Sequence, residues 1–230
     1  TFEGITRNLC NWDQASGITI DPSYRIVYLV THIQTLVRYD ITSDTMTCIE
    51  NLPGFSTSET YGFRGMAINP LTHILYVATQ VDTLATYEPM SGAIRDLSPY
   101  LRSIPTGYSM NGLAFDQFAH VLYIGGEVGQ FARFDPYAET MQVLTDRISS
   151  FWGANRASPA YEPLGRRIYL GGDGGKFGFY DPATDTATNL VSAIPFWGST
   201  NIRLGIDPVH HVVYLGGLNA SKFAKYDVVT

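Results

Sequence analysis

The chain has 230 residues, of which 45% are apolar, 13% aromatic and 16% charged. This balance excludes a disordered chain and a charge-rich helical bundle, and no apolar run approaches the roughly 18 residues of a membrane-spanning helix. The net charge is -6, with three lysines in the whole chain, whereas non-specific nucleic-acid binding depends on clustered Lys and Arg. We therefore predict neither a nucleic-acid partner nor insertion into a membrane.

The two cysteines, Cys10 and Cys48, are too few for a zinc site of about four ligands or for a disulfide framework. One disulfide and two free thiols both fit the sequence. Because the chain begins with Thr1 rather than Met, we expect a processed protein or part of a longer one. A removed signal peptide therefore stays an open alternative.

An internal repeat decides the fold class. Five segments share an apolar stretch, a turn and a second apolar stretch with a tyrosine; they begin at Gly17, Gly65, Gly112, Ser158 and Arg203. The tyrosines recur at steps of 48, 47, 46 and 45 residues, at Tyr28, Tyr76, Tyr123, Tyr169 and Tyr214. An aromatic residue followed by an acid recurs at steps of 48, 47, 46 and 46, at Tyr39, Tyr87, Phe134, Tyr180 and Tyr226. Two parallel series of this kind indicate a true repeat.

Each repeat contains four short apolar stretches separated by turn residues, and none has the period of an amphipathic helix. Four strands of about six residues joined by hairpins make a unit the size of one propeller blade. The sequence therefore predicts an all-β, five-bladed β-propeller with four antiparallel strands in each blade. The blades are expected at about 16–52, 64–104, 111–148, 157–194 and 202–230. The last repeat lacks an outer strand, and residues 1–9 are predicted to supply it and to close the ring.

The turn chemistry adds a resemblance. Asp-Pro turns, a Gly-Gly pair and a later aromatic-Asp-Pro unit, as in Tyr180-Asp181-Pro182, are similar to the blades of NHL, YVTN and WD-type β-propellers. The five repeats lack the Trp-Asp signature of WD repeats. The resemblance therefore implies the architecture over nearly the whole chain and no particular activity.

A repeated aromatic residue lies in the segment that leads into each blade, at Trp12, Tyr61, Tyr108, Trp152 and Trp197. Amide and guanidinium side chains lie close by, at Arg64, Asn111, Asn155, Arg156, Asn201 and Arg203. An aromatic plane with such neighbours suits a sugar, whose C–H face stacks on the ring while its hydroxyls find polar partners. We take these residues as the candidate ligand-binding site. The alternative is that the aromatic rings are packing between blades.

Two other series have structural interpretations. Each repeat tyrosine is preceded three positions earlier by a basic residue, namely Arg25, His73, His120, Arg166 or His211. We expect these to pair locally, either with the acid of the same turn or with the acid that follows the second repeated aromatic residue, with an anion-binding or pH-sensing ring as the alternative. The acids Asp21, Asp116, Glu162 and Asp207 open turns, where a carboxylate accepts local hydrogen bonds. No metal site, cofactor or catalytic residue is predicted.

The sequence thus favours a non-catalytic recognition module that binds a glycan or a cell-surface receptor through aromatic-lined grooves on one face. The resemblance extends to five-bladed lectins of the tachylectin type, which bind one sugar per groove between blades. A secreted lectin and the host-attachment head of a virus or phage both fit, which places the protein outside the cell or on a virion surface, alone or in a larger assembly. The first alternative is a protein–protein interaction scaffold. The second is a hydrolase or lyase with its site at the mouth of the central channel.

Overall fold

The computed structural model describes residues 15–31, 35–49, 63–79, 83–101, 110–195, 197, 201–218 and 222–228. These residues form five antiparallel sheets, in each of which the strands are adjacent in chain order. Two short helices, α1 (Ser98–Leu101) and α2 (Thr145–Trp152), follow the outer strands of the second and third sheets. No helix in these ranges is long and apolar enough to cross a bilayer.

The strands fall into five successive groups. Blade 1 contains β1 (Ala15–Asp21), β2 (Ile26–Thr31), β3 (Leu36–Asp40) and β4 (Thr45–Ile49). Blade 2 contains β5 (Phe63–Ile68), β6 (Leu75–Thr79), β7 (Leu84–Glu88) and β8 (Ala93–Asp96). Blade 3 contains β9 (Met110–Asp116), β10 (Val121–Gly126), β11 (Phe131–Asp135) and β12 (Thr140–Val143). Blade 4 contains β13 (Ala157–Glu162), β14 (Arg167–Gly172), β15 (Phe177–Asp181) and β16 (Thr186–Asn189). Blade 5 contains β17 (Asn201–Asp207), β18 (Val212–Leu218) and β19 (Lys222–Asp227).

The prediction of an all-β, five-bladed propeller is confirmed. The innermost strands follow one another around the axis, since β1 contacts β5, β5 contacts β9, β9 contacts β13, and β13 contacts β17. The fifth sheet has three strands among the described residues. The strand predicted over residues 1–9 to complete it lies outside those residues and stays a prediction.

The hydrophobic core lies between blades rather than inside any one of them. Four clusters of buried side chains each join two consecutive blades, from blades 1 and 2 to blades 4 and 5. The repeat tyrosines Tyr76, Tyr123 and Tyr169 are among their members and are almost fully buried. Their conserved spacing along this chain therefore marks the packing between blades.

The inner strands approach one another closely because one repeated position is nearly always small. It is occupied by Gly17, Gly65, Gly112 and Ser158, and in blade 5 by Arg203. A Cβ atom added to Gly65 would lie 3.0 Å from the backbone of Gly112. A larger side chain there would push two blades apart.

Blade 1 and blade 5 each have exposed apolar side chains at positions that are buried between blades elsewhere in the propeller. Ile18 in β1 is 68% exposed, whereas Met66 at the same position of blade 2 is 7% exposed. Phe223 in β19 is 74% exposed, whereas its counterpart Phe131 is fully buried. Within the described ranges, no fifth cluster joins blade 5 to blade 1.

The turns between first and second strands share one geometry. The side-chain oxygen of Asp21 accepts hydrogen bonds from the backbone N–H groups of Ser23 and Tyr24 at 3.0 and 3.2 Å. The other four turns repeat this arrangement on their own acid or amide, including Glu162 in blade 4. The expectation that the turn acids serve local hydrogen bonding is confirmed.

The basic series has a backbone explanation. Its members adopt the left-handed conformation that ends each turn, with φ between 52° and 59°, at Arg25, His73, His120, Arg166 and His211. Pairing of each basic residue with an acid of its own blade was expected, and at His73 and His211 the structure corrects this expectation. Nδ1 of His73 lies 2.6 Å from Asp21 of the preceding blade, and Nδ1 of His211 lies 3.3 Å from Glu162 of the preceding blade. These contacts join blades.

We expect Gly125→Ala to lower the free energy of unfolding by ~1–3 kcal/mol, because its Cβ would meet the carbonyl oxygen of Ala157 at 2.1 Å and force the strands apart. Gly216 occupies the same position in blade 5, where no described atom lies within 4 Å of an added Cβ. Gly216→Ala is therefore the matched control. Urea denaturation of both variants measures the difference, and equal losses would contradict this account of the packing.

We also expect the fold to lose stability at alkaline pH. Burial raises the pKa of Tyr76, Tyr123 and Tyr169 from the ordinary value of 10.0 to about 12. Their contribution is present below pH 10 and falls as the pH rises towards 12, because the unfolded chain releases these protons first. The urea midpoint should drop across this interval, and the drop should be smaller in Tyr123→Phe. An unchanged pH dependence in that variant would rule out Tyr123 as a source.

Candidate functional site

The antiparallel blades give the propeller two different faces. The turns that join first to second and third to fourth strands lie at one end, which we call the turn face. The hairpins between second and third strands lie at the other end, together with the segments that lead into each blade. The innermost strands line a central channel, and we call its opening on this second end the channel mouth. Those predicted ligand-binding residues that the structure describes belong to the channel-mouth side.

The two tryptophans that the structure describes are buried. Trp152 is 0% exposed in the cluster between blades 3 and 4, and its indole N–H donates to the carbonyls of Asn155 and Arg156 at 3.1 Å. Trp197 is 1% exposed in the cluster between blades 4 and 5. Neither ring has a face on which a sugar could stack, so the packing alternative describes both. Trp12, Tyr61 and Tyr108 lie outside the described residues.

Asn155 also has a structural position. Its side-chain amide donates to the carbonyl of Trp152, and its own carbonyl accepts from Gly129 in blade 3. These bonds hold the segment that leads into blade 4. Asn155 therefore supports the loop on which Arg156 stands.

Two polar residues from different blades come together at the channel mouth. Arg203 in β17 reaches across the ring to Asn111 in β9, two blades away. Its guanidinium donates to the backbone carbonyl of Asn111 at 3.2 Å and to the side-chain oxygen of Asn111 at 3.2 Å. Asn111 is 3% exposed, and its side-chain nitrogen has no hydrogen-bond partner.

Arg156 lies beside this pair and links two hairpins. Its guanidinium is 3.0 Å from the carboxylate of Glu127 in the blade 3 hairpin and 3.6 Å from that of Asp173 in the blade 4 hairpin. Arg64, in β5, stands at the position of blade 2 that Asn111 occupies in blade 3. Asn201 begins β17, and its side-chain oxygen is buried without a hydrogen-bond partner.

The electrostatics of the mouth are set by these charges. Burial lowers the pKa of Arg203, and the nearby positive charges of Arg156 and Arg64 lower it further, while Asp173 opposes them. Arg203 remains charged, because a guanidinium does not lose its proton in proteins. A partly buried positive charge therefore faces the channel with other positive charges around it.

The turn face carries a feature that the sequence analysis missed. Seven of the twelve large apolar side chains that are exposed among the described residues lie there: Tyr24, Leu71, Met90, Phe118, Tyr137, Leu164 and Val209. Four of them, Leu71, Phe118, Leu164 and Val209, occupy one repeated turn position. Comparing this column between the aligned repeats would have revealed it.

Some of these rings are held by the basic series of the neighbouring blade. The guanidinium of Arg166 lies over the ring of Phe118, 4.7 Å from its centre. The rings of Tyr24 and His73 lie 4.3 Å apart. Aromatic rings therefore pack against basic side chains of the next blade at two places on this face.

A cleft of about 190 Å³ opens on the same face between blades 2 and 3. Tyr137, Tyr76 and Arg95 are among the residues that line it. Within the described part of the chain, no three His, Cys, Asp or Glu side chains stand close enough together to hold a metal ion.

Comparison with known proteins identifies the architecture. A crystal structure of the β-propeller domain of Cps50 (Swd1) from Myceliophteria thermophila superposes with a TM-score of 0.66 at 13% sequence identity, covering 98% of this chain and 75% of that chain. The fold is a β-propeller. Identity this low shows the shared fold alone. No family model matches the sequence, and no curated protein matches it significantly.

Replacing Trp152 should affect stability rather than ligand binding. We expect Trp152→Ala to lower the free energy of unfolding by ~3–5 kcal/mol, because it empties a fully buried site. Trp152→Phe should lose less, since it keeps most of the ring but removes the donor to two carbonyls. Urea denaturation gives both values. A Trp152→Ala protein that unfolds like the wild type would return this residue to the list of ligand-binding candidates.

Proposed function

We propose that this propeller is a non-catalytic protein-interaction domain and that it binds its partner through the turn face. The exposed apolar side chains at one repeated turn position carry this proposal. Isolated exposed apolar residues are ordinary, but their concentration on one face is typical of a protein-binding surface. Burial of Trp152 and Trp197 removes two of the five aromatic platforms on which a glycan-binding function would depend.

The chemistry of the turn face favours a partner with apolar and acidic groups. Leu71, Phe118 and Leu164 offer apolar contact area. The side chains of Arg25 and Arg166 are exposed beside them, whereas the acids of the same turns are buried or engaged by backbone N–H groups. On the third-to-fourth turns of this face, the exposed acids accept hydrogen bonds from other side chains, in the pairs Tyr39–Asp44, Arg95–Glu139 and Arg147–Asp185. A protein segment that presents apolar side chains flanked by carboxylates complements both features.

The aromatic groups of this face are held in place before binding. Phe118 contacts Arg166 and Tyr24 contacts His73, which restricts these rings before binding. Less side-chain conformational entropy is therefore lost on association. Aromatic and Arg side chains are also enriched among residues that dominate binding energy. The turn face therefore has suitable anchors for a protein partner.

A disulfide bears on where in or outside the cell this protein acts. Cys48, in β4, is disulfide-bonded, and disulfides persist mainly in oxidising compartments. This supports the proposal that the domain acts outside the cell or on a particle surface.

A displayed library of random peptides, selected on the 230-residue protein, tests the proposed function. We expect enriched peptides to combine apolar and acidic residues. A double variant with Phe118→Ser and Leu164→Asp should bind them about tenfold more weakly or worse, because it replaces two anchors. Val128→Asn is the matched control, since Val128 is 61% exposed on the opposite face and should bind normally.

Two outcomes would contradict the proposal. One is equal peptide binding by the double variant and the wild type, with both folded by circular dichroism. The other is saturable binding to a glycan array without enrichment of any peptide, which would favour the glycan-binding alternative.

A further inference from the structure

Arg203 breaks the repeat at the position where the other four blades have a glycine or serine. A residue that maintains the fold recurs in every blade, as the repeat tyrosines and the acid or amide of the turn do. Arg203 occurs in one blade, in the innermost strand, with its guanidinium across the channel from its own sheet. Arg203 therefore does not serve the role of the small residues at this position, which is to let the inner strands approach closely.

The guanidinium has only neutral partners. Its two hydrogen bonds go to the carbonyl oxygens of Asn111, and in the described ranges no carboxylate lies within ion-pair distance of it. Glu127 and Asp173, the acids near the mouth, are placed on Arg156 instead. An Arg side chain has five N–H donors in a planar fork, so donors remain for an additional acceptor.

Asn111 supplies a second, independent observation. Its side-chain nitrogen is buried without an acceptor, and leaving a buried donor unsatisfied is unfavourable. Because the oxygen of the same amide is held by Arg203, this nitrogen belongs to the same small site. Two neighbouring groups therefore both require an acceptor from outside the chain.

We propose that Arg203 and Asn111 form a binding site for a carboxylate at the channel mouth. The planar fork of Arg203 matches the two oxygens of a carboxylate, and the amide nitrogen of Asn111 donates a further hydrogen bond. This site lies on the face opposite the proposed protein-binding surface and does not depend on it.

The local charge favours a carboxylate over a phosphate group. Among the described residues at the mouth, Arg156 is engaged by Glu127 and Asp173, whereas Arg203 has no carboxylate partner beside Asn111. One negative charge balances that of Arg203, whereas a phosphate monoester carries nearly two near neutral pH. A single acidic side chain of a polypeptide and a small organic acid both supply the required group.

Nuclear magnetic resonance of the ¹⁵N-labelled 230-residue protein tests the site directly. The probes are glutarate and an acetylated, amidated pentapeptide with one central glutamate; glutaramide and the matching glutamine peptide are the neutral controls. We expect the Nε–H resonance of Arg203 and the side-chain amide of Asn111 to shift saturably with the acids and not with the amides. Tighter binding of the peptide would identify a polypeptide side chain as the source of the carboxylate, and tighter binding of glutarate a free acid.

Three variants extend the test. Arg203→Met should weaken binding of the carboxylate probe about tenfold or more, since it removes charged hydrogen bonds. Arg147→Met is the control, because Arg147 pairs with Asp185 away from the mouth, and it should bind like the wild type. Asn111→Asp places a carboxylate beside Arg203 from within the chain, so it should raise the melting temperature and abolish probe binding.

The proposal fails if the wild-type resonances of Arg203 and Asn111 do not respond to either acid. It fails equally if inorganic phosphate binds more tightly than both carboxylates. Unchanged probe affinity in a folded Arg203→Met protein would also overturn it. None of these results bears on the turn face, so the two proposals can be separated.

Discussion

The close approach of the inner strands is the constraint on which the rest of the structure depends. Blades can pack side by side around a narrow axis only where the facing residues are small, and Gly65 and Gly112 show how little space remains between them. This proximity brings large side chains farther out into contact between neighbouring sheets, as where Tyr123 and Phe131 of blade 3 meet Tyr180 of blade 4. Stability is therefore shared between blades, as in other repeat proteins, where each unit buries its apolar face on the next.

The turns connect the blades by a second set of contacts. Each turn acid satisfies its own backbone donors, and two of these acids also contact a histidine of the following blade, in the pairs Asp21–His73 and Glu162–His211. At His73, Arg166 and His211, the left-handed end of the turn is accompanied by contact of the basic side chain with the preceding blade. The same geometry leaves the third residue of the turn in solvent, which places apolar side chains such as Leu164 on the turn face. Structural and exposed positions thus alternate within a few residues.

Much of the fold could be predicted from the sequence because the repeat presents the same evidence five times. The spacing of the tyrosines was sufficient for the number of blades, and the apolar stretches between turn residues were sufficient for antiparallel sheets of consecutive strands. The site was harder, because periodicity does not show on which side of a blade an aromatic ring lies. Trp152 and Trp197 recur for the same reason as the tyrosines, as packing between blades. Distances across the ring, such as that between Arg203 and Asn111, depend on curvature that no local pattern encodes.

The repeat also provides an internal reference for separating function from architecture. A position that keeps one role in all blades, such as the acid or amide that accepts the turn's backbone N–H groups, reports a need of the fold. Repeated apolar residues in solvent satisfy no such need, because burial is what an apolar side chain contributes to folding. A single departure at an otherwise small position, as at Arg203, is also unexplained by the fold and introduces a partly buried charge that is unfavourable without a partner. Both kinds of exception point to ligands from outside the chain, and they lie on opposite faces. The turn face therefore suits a partner with apolar and acidic groups, whereas the channel mouth suits a single carboxylate.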